Sequence, residues 1–129
     1  STNFLNPLKK FYFKVIKKQD PYSINAVKDL LSKFKDNTHL IQGNSNKVLK
    51  KMDLSKIDYI FLDGGHHYET VKNDLINCTS VLENNGTILC DDYNLSYAPG
   101  IKHAIEEYVN YNKYKVEILF DRFAKITKS

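Results

Sequence analysis

Two cysteines are all that the 129 residues carry, and tryptophan is absent. Cys78 and Cys90 lie inside apolar-periodic segments without the close spacing of a metal or redox motif, which excludes a disulfide framework and predicts two reduced core thiols, as in the cytoplasm. No apolar run approaches the roughly 20 residues of a membrane span, and the opening lacks a basic stretch followed by an apolar one. Neither a membrane nor export is therefore expected. Arginine is scarce too: Arg122 stands alone among 19 basic residues. The formal charge of +4 thus comes with almost none of the planar guanidinium groups that read phosphates and bases, and a nucleic-acid partner is not expected. The lysine cluster Lys9, Lys10, Lys14, Lys17 and Lys18 reads either as compositional bias or as a polyanion-binding patch. Only five glycines occur, none of them before Gly43.

What is present is average for a folded soluble domain: 42% hydrophobic and 26% charged residues, enough chain for one core and one domain over 1–129. No repeat or linker interrupts it. Asp20-Pro21 predicts a helix start, with Ile24, Val27, Leu30, Leu31 and Phe34 recurring at helical spacing until about Lys35. His39 to Gln42 reads as a short strand, and Val48, Leu49 and Met52 as a short helix. The run Ile57 to Asp63, ending in Gly64-Gly65, predicts a buried parallel strand. Val71, Leu75, Cys78 and Leu82 trace a helix that Asn84-Asn85-Gly86 should end, ahead of a second buried strand, Thr87 to Cys90. A helix beginning at Pro99-Gly100 and two strands, Tyr114 to Phe120 and Phe123 to Thr127, follow. The opening segment fits a helix through Leu8, Phe11, Tyr12, Val15 and Ile16, or a strand through Phe11, Phe13 and Val15. The alternation predicts an α/β fold: a mostly parallel, Rossmann-like sheet with helices on both faces in a three-layer sandwich, closed by a C-terminal antiparallel hairpin.

Ligands of such sheets bind beyond the carboxyl ends of the strands. Asp63, Asp91 and Asp92 fall there, and three carboxylates could supply hard oxygen ligands to Mg²⁺, which would lower the pKa of a substrate hydroxyl. The same aspartates could instead cap the turns that follow the strands. His66, placed by the turn to aim inward more readily than His67, could act as a general base or touch cofactor or substrate, or be a solvated loop residue. Asn44 and Ser45 could hydrogen-bond a nucleobase or cap the short helix.

The run Ile57-Asp58-Tyr59-Ile60-Phe61-Leu62-Asp63-Gly64-Gly65-His66-His67-Tyr68-Glu69, then Asp74-Leu75, then Asn85-Gly86-Thr87-Ile88-Leu89-Cys90-Asp91-Asp92-Tyr93, resembles class I S-adenosylmethionine-dependent methyltransferases. The likeness is to the group whose fourth strand ends in Asp-Gly-x-His-x-Tyr and whose fifth ends in Asp-Asp-Tyr, and it runs from about Asp20 to the C-terminus. Related sugar and catechol O-methyltransferases carry Mg²⁺ on the matching carboxylates, which implies Asp63, Asp91 and Asp92 as metal ligands here. The resemblance further implies S-adenosylmethionine contacts at Asn44, Ser45, Asp63, Gly64 and His66, catalytic roles for Asp63 and His66, and a hydroxylated small molecule or sugar as acceptor. The family's first strand and Gly-rich loop have no counterpart. The acidic residue expected for the ribose falls near Lys18 or Gln19, with only Asp20 close by. An upstream segment or a second subunit is therefore expected to complete the sheet. The competing readings are a degenerate, non-catalytic domain serving as a binding or assembly module, and a metal-dependent hydrolase or phosphoryl-transfer enzyme, for which no phosphate loop is present.

Overall fold

A computed structural model of the chain describes residues 23–52 and 56–128. They fall into two units divided between Gly43 and Asn44. The opening segment, the lysine cluster and Asp20-Pro21 lie outside the described residues.

In the first unit, helix α1 spans Ile24–Leu30 and a 3₁₀ segment follows over Ser32–Asn37. The cap of α1 is Ser23, whose hydroxyl accepts the Ala26 N–H at 3.1 Å, so one otherwise orphaned amide of the first turn is satisfied. The helix is shorter than its apolar spacing implied: Leu30 and Phe34 are more than half exposed, and only Ala26 of α1 is buried. His39 to Gln42 does not form the expected strand. Residues 38–42 have no regular pairing, since four apolar-leaning residues hold an extended strand only where a neighbouring strand takes up their amides.

In the second unit, helix α2 spans Ser45–Lys51, followed by strand β1 (Ile57–Leu62), helix α3 (Tyr68–Val81), strand β2 (Leu82–Cys90), helix α4 (Pro99–Asn112) and strands β3 (Lys115–Leu119) and β4 (Phe123–Thr127). The sheet order is β1-β2-β4-β3. β1 runs parallel to β2, as a connection through a crossover helix requires, whereas β4 is antiparallel to both β2 and β3. The sheet is therefore mixed. The expectation of a mostly parallel sheet does not hold among the described strands, because β4 enters beside β2 from the opposite direction.

One face of the sheet is the core. Ile88 and Cys90 of β2 and Ala124 and Ile126 of β4 alternate onto it, and Val71, Leu75 and Cys78 of α3 meet Ile101, Ala104, Ile105 and Val109 of α4 above them. Ile60 and Leu62 of β1 pack against this cluster, but Tyr59 and Phe61 turn the other way and are about half exposed, so β1 is not the fully buried strand its composition suggested. A strand with apolar residues on both faces reads as buried from sequence whether or not its second face is covered.

Asn84-Asn85-Gly86 does not end α3, which stops at Val81. It forms an irregular stretch of β2, where the register runs from Ile57 opposite Leu82 to Tyr59 opposite Thr87. The chain there folds back so tightly that a Cβ on Gly86 would stand 2.6 Å from Leu82 Cδ1. Pro99 occupies the first turn of α4, where its missing N–H costs nothing. No helix among the described residues is long and apolar enough to cross a membrane.

Candidate metal and catalytic site at the strand ends

Parallel pairing sets Leu62 opposite Cys90, so the residues that follow leave the sheet side by side. The Asp91 N–H donates to the Leu62 carbonyl at 3.0 Å and joins the two exits. Asp92 then takes a left-handed φ of 61°, a conformation aspartate tolerates better than most residues. The result is that Asp63, Asp91 and Asp92 each place a carboxylate oxygen within 4.8 Å of the others. Asp91 and Asp92 are buried and Asp63 is exposed.

Two further residues, absent from the sequence-based site, shape this cluster. Arg122, in the turn between β3 and β4, grips Asp91 with both ends of its fork: Nε donates to Oδ1 at 2.7 Å and Nη2 to Oδ2 at 2.8 Å. The Asp92 N–H also donates to Asp91 Oδ1, at 2.7 Å. The guanidinium beside Asp91 holds its carboxyl below the usual carboxylate range, and the Asp92 amide acts in the same direction against the opposing effect of burial. Asp74, on α3 and 2% exposed, accepts the Ser45 hydroxyl at 2.7 Å through Oδ1. Its Oδ2 lies over Gly64, where a Cβ would come within 3.0 Å of it. Both had a signal in the sequence. Asp74 sits on the apolar stripe of Val71, Leu75 and Cys78, an odd place for a carboxylate, and Arg122 is the single arginine.

His66 Nε2 lies 3.3 Å from Asp92 Oδ2, and the His66 ring meets Tyr97 edge-on at 6.2 Å between centroids. His67 instead occupies the position before α3 and takes part in its first turn, its carbonyl accepting the Val71 N–H. Glu69 lies in that first turn, near the positive end of the helix. Asn44 caps α2, its Oδ1 accepting the Asn46 N–H at 3.0 Å, and Ser45 turns its hydroxyl to Asp74.

Between Asp63, Gly64, Gly65, His66, Asp74, Asp91 and Asp92 lies a pocket of about 20 Å³. That is room for about one water or ion, far below the roughly 300 Å³ of a small-molecule site, so this small space can be the floor of a larger site and not the whole of it. An ion of the size of Mg²⁺ holds opposite oxygen ligands about 4.2 Å apart. Adjacent ligands of such an ion stand about 3.0 Å apart, so the three carboxylate oxygens, which lie within 4.8 Å of one another, reach it by closing by at most about 2 Å. Asp91 has one position left to offer it, since three of its roughly four acceptor positions are already filled. Cys90 also lines the pocket, but burial pushes its thiol up to about 12, and that of Cys78 to about 11, so neither supplies a thiolate near neutral pH.

Comparison with known proteins finds methyltransferases of similar fold. The O-methyltransferase NovP superposes with a TM-score of 0.70 at 16% identity, covering 91% of this chain and 49% of that one. A TDP-rhamnose 3'-O-methyltransferase of calicheamicin biosynthesis, in its apo form, gives 0.63 at 18% identity, covering 80% of this chain and 51% of that one. The S-adenosylhomocysteine-bound methyltransferase PaMTH1 of Podospora anserina gives 0.58 at 23% identity, covering 82% and 56%. At such identities the likeness is one of fold, and the chain spans about half the length of the first two. No curated protein matches its sequence significantly. The profile of a family described as a methyltransferase domain matches residues 9–93, which takes in β1, α3, β2 and all three site aspartates. By that match, over well more than half of its length, the chain belongs to the methyltransferase domain family.

Proposed function

We propose that the protein transfers a methyl group from S-adenosylmethionine to a hydroxyl of a small molecule or sugar, with a divalent ion such as Mg²⁺ at the strand ends. The observation that carries this reading is the meeting of Asp63, Asp91 and Asp92 over an ion-sized pocket in a chain of this family. The sugar O-methyltransferase among its structural neighbours supports the acceptor class.

When bound, S-adenosylmethionine would supply the sulfonium methyl, with S-adenosylhomocysteine as the leaving group, and the ion would supply a Lewis acid that lowers the pKa of the acceptor hydroxyl. Asp63, Asp91 and Asp92 hold the ion. His66 takes the hydroxyl proton at Nδ1, while its Nε2 faces Asp92 Oδ2 at 3.3 Å, and that carboxylate stabilises the imidazolium that forms. Asn44, Ser45, Asp63, Gly64 and His66 line the path of the cofactor. A side chain on Gly64 would press on Asp74, which fits a bare backbone at this position. An upstream segment or a second subunit would complete the sheet, a reading that the exposed Tyr59 and Phe61 of β1 support. The protonated thiols of Cys78 and Cys90 suit the cytoplasm.

The scarcity of glycine ahead of Gly43 favours one alternative, a degenerate domain that binds or assembles without catalysis. Transfer of labelled methyl from S-adenosylmethionine to a panel of sugars, nucleotide sugars and catechols separates the two. Transfer that stops on adding EDTA supports the metal-assisted enzyme. Transfer indifferent to EDTA overturns the metal, and no transfer to any acceptor favours the module.

A further inference from the structure

The acidic cluster already contains a cation. Arg122 contributes one positive charge against the three carboxylates of Asp63, Asp91 and Asp92, and it spends both arms of its fork on Asp91. The guanidinium's other contact among the described residues is with the Phe123 ring, 5.1 Å from the guanidinium carbon to the ring centroid. The turn that carries it is fastened by other bonds: the Tyr93 N–H donates to the Arg122 carbonyl at 2.8 Å, and Asn94 Nδ2 donates to the Asp121 carboxylate. Asp91 has ties besides Arg122: its backbone N–H donates to Leu62 and its Oδ1 accepts the Asp92 N–H. The Arg122 side chain is 56% exposed, so a neutral replacement leaves no cavity.

We propose that Arg122 is a resident counter-cation of the site, which competes with a divalent ion for Asp91 and so sets how strongly the site takes up that ion. This rests on the metal reading above. The lone-pair count gives the direction. Oδ1 of Asp91 is filled by Arg122 Nε and the Asp92 N–H, and Oδ2 accepts Arg122 Nη2, so an incoming ion has to share Asp91 or displace the guanidinium. It also has to enter beside a fixed positive charge in a partly buried site, where repulsion is screened less than in water.

The test is titration of the full chain with Mn²⁺, free ion being read by electron paramagnetic resonance, for the wild type, R122M, R122Q and R122K. The neutral variants R122M and R122Q are expected to bind Mn²⁺ at least about tenfold more tightly, while R122K, which keeps the charge, stays within about threefold of wild type. Tight binding by the neutral variants alone, with none by the wild type, supports the proposal equally. If the wild type binds and both neutral variants bind no tighter, Arg122 does not compete and the proposal is overturned, while the metal reading stands. If no protein takes up Mn²⁺, the metal reading falls and the proposal with it. Circular dichroism of each variant shows that it is folded, and the two neutral variants guard against the loss of one.

Discussion

Asp91 is bonded by the Arg122 guanidinium and by the Asp92 amide in its charged form, and that preference is a statement about stability. Its folded-state pKa is depressed below 3.8, so the stabilisation is fully present above that value and is lost as pH falls through the folded one. Asp91→Asn should therefore lower the urea midpoint at pH 7, and the deficit should shrink as pH falls from about 4, where the unfolded chain's carboxyl takes up its proton, toward the lower folded value; a deficit that did not change with pH would show that charge is not what the pair contributes. At His66 the expectation is kinetic. His66→Ala should reduce kcat by about 10²–10⁴-fold if the imidazole takes the acceptor proton, with a melting temperature close to wild type because the ring lies at the pocket edge. A change confined to KM would make His66 a binding residue.

At the scale of elements, α3 and α4 hold one face of the sheet through side chains that are almost wholly out of water. Leu75 is 0% exposed, and Leu75→Ala should cost about 2–5 kcal/mol in chemical denaturation, from lost apolar transfer and the cavity left behind. The irregular stretch of β2 makes a sharper test. Gly86→Ala places a methyl 2.6 Å from Leu82 Cδ1 and 3.0 Å from the Glu83 carbonyl, and overpacking of that kind costs about 1–3 kcal/mol, against the small gain expected at an unstrained glycine. These two elements also show what the sequence could and could not convey. The 3.6-residue spacing of Val71, Leu75 and Cys78 made α3 legible, and the run Thr87 to Cys90 made the heart of β2 legible. Asn84-Asn85-Gly86 looked like a helix stop because turn residues serve bulges and helix ends alike; only pairing with β1, a tertiary fact, separates the two. His39 to Gln42 failed for the related reason that a short strand exists only by virtue of its neighbour.

For the molecule as a whole, the placement of the acidic residues was readable because it follows from topology: parallel strands joined by a helix bring their carboxyl ends together, and the aspartates sit just past those ends. Asp74 and Arg122 each stood out in the sequence, but the partners they reach, Ser45 and Asp91, lie 29 and 31 residues away, and no local pattern encodes that reach. The direction of β4 beside β2, and hence the mixed sheet, was likewise hidden, since hydrophobic alternation is the same for either direction. The central claim, that this fold serves methyl transfer from S-adenosylmethionine, is tested most directly by calorimetric titration of the folded chain with S-adenosylmethionine, with and without Mg²⁺. Saturable one-to-one binding in the micromolar range is the expected result. A folded chain that gives no heat of binding in either buffer would contradict the account.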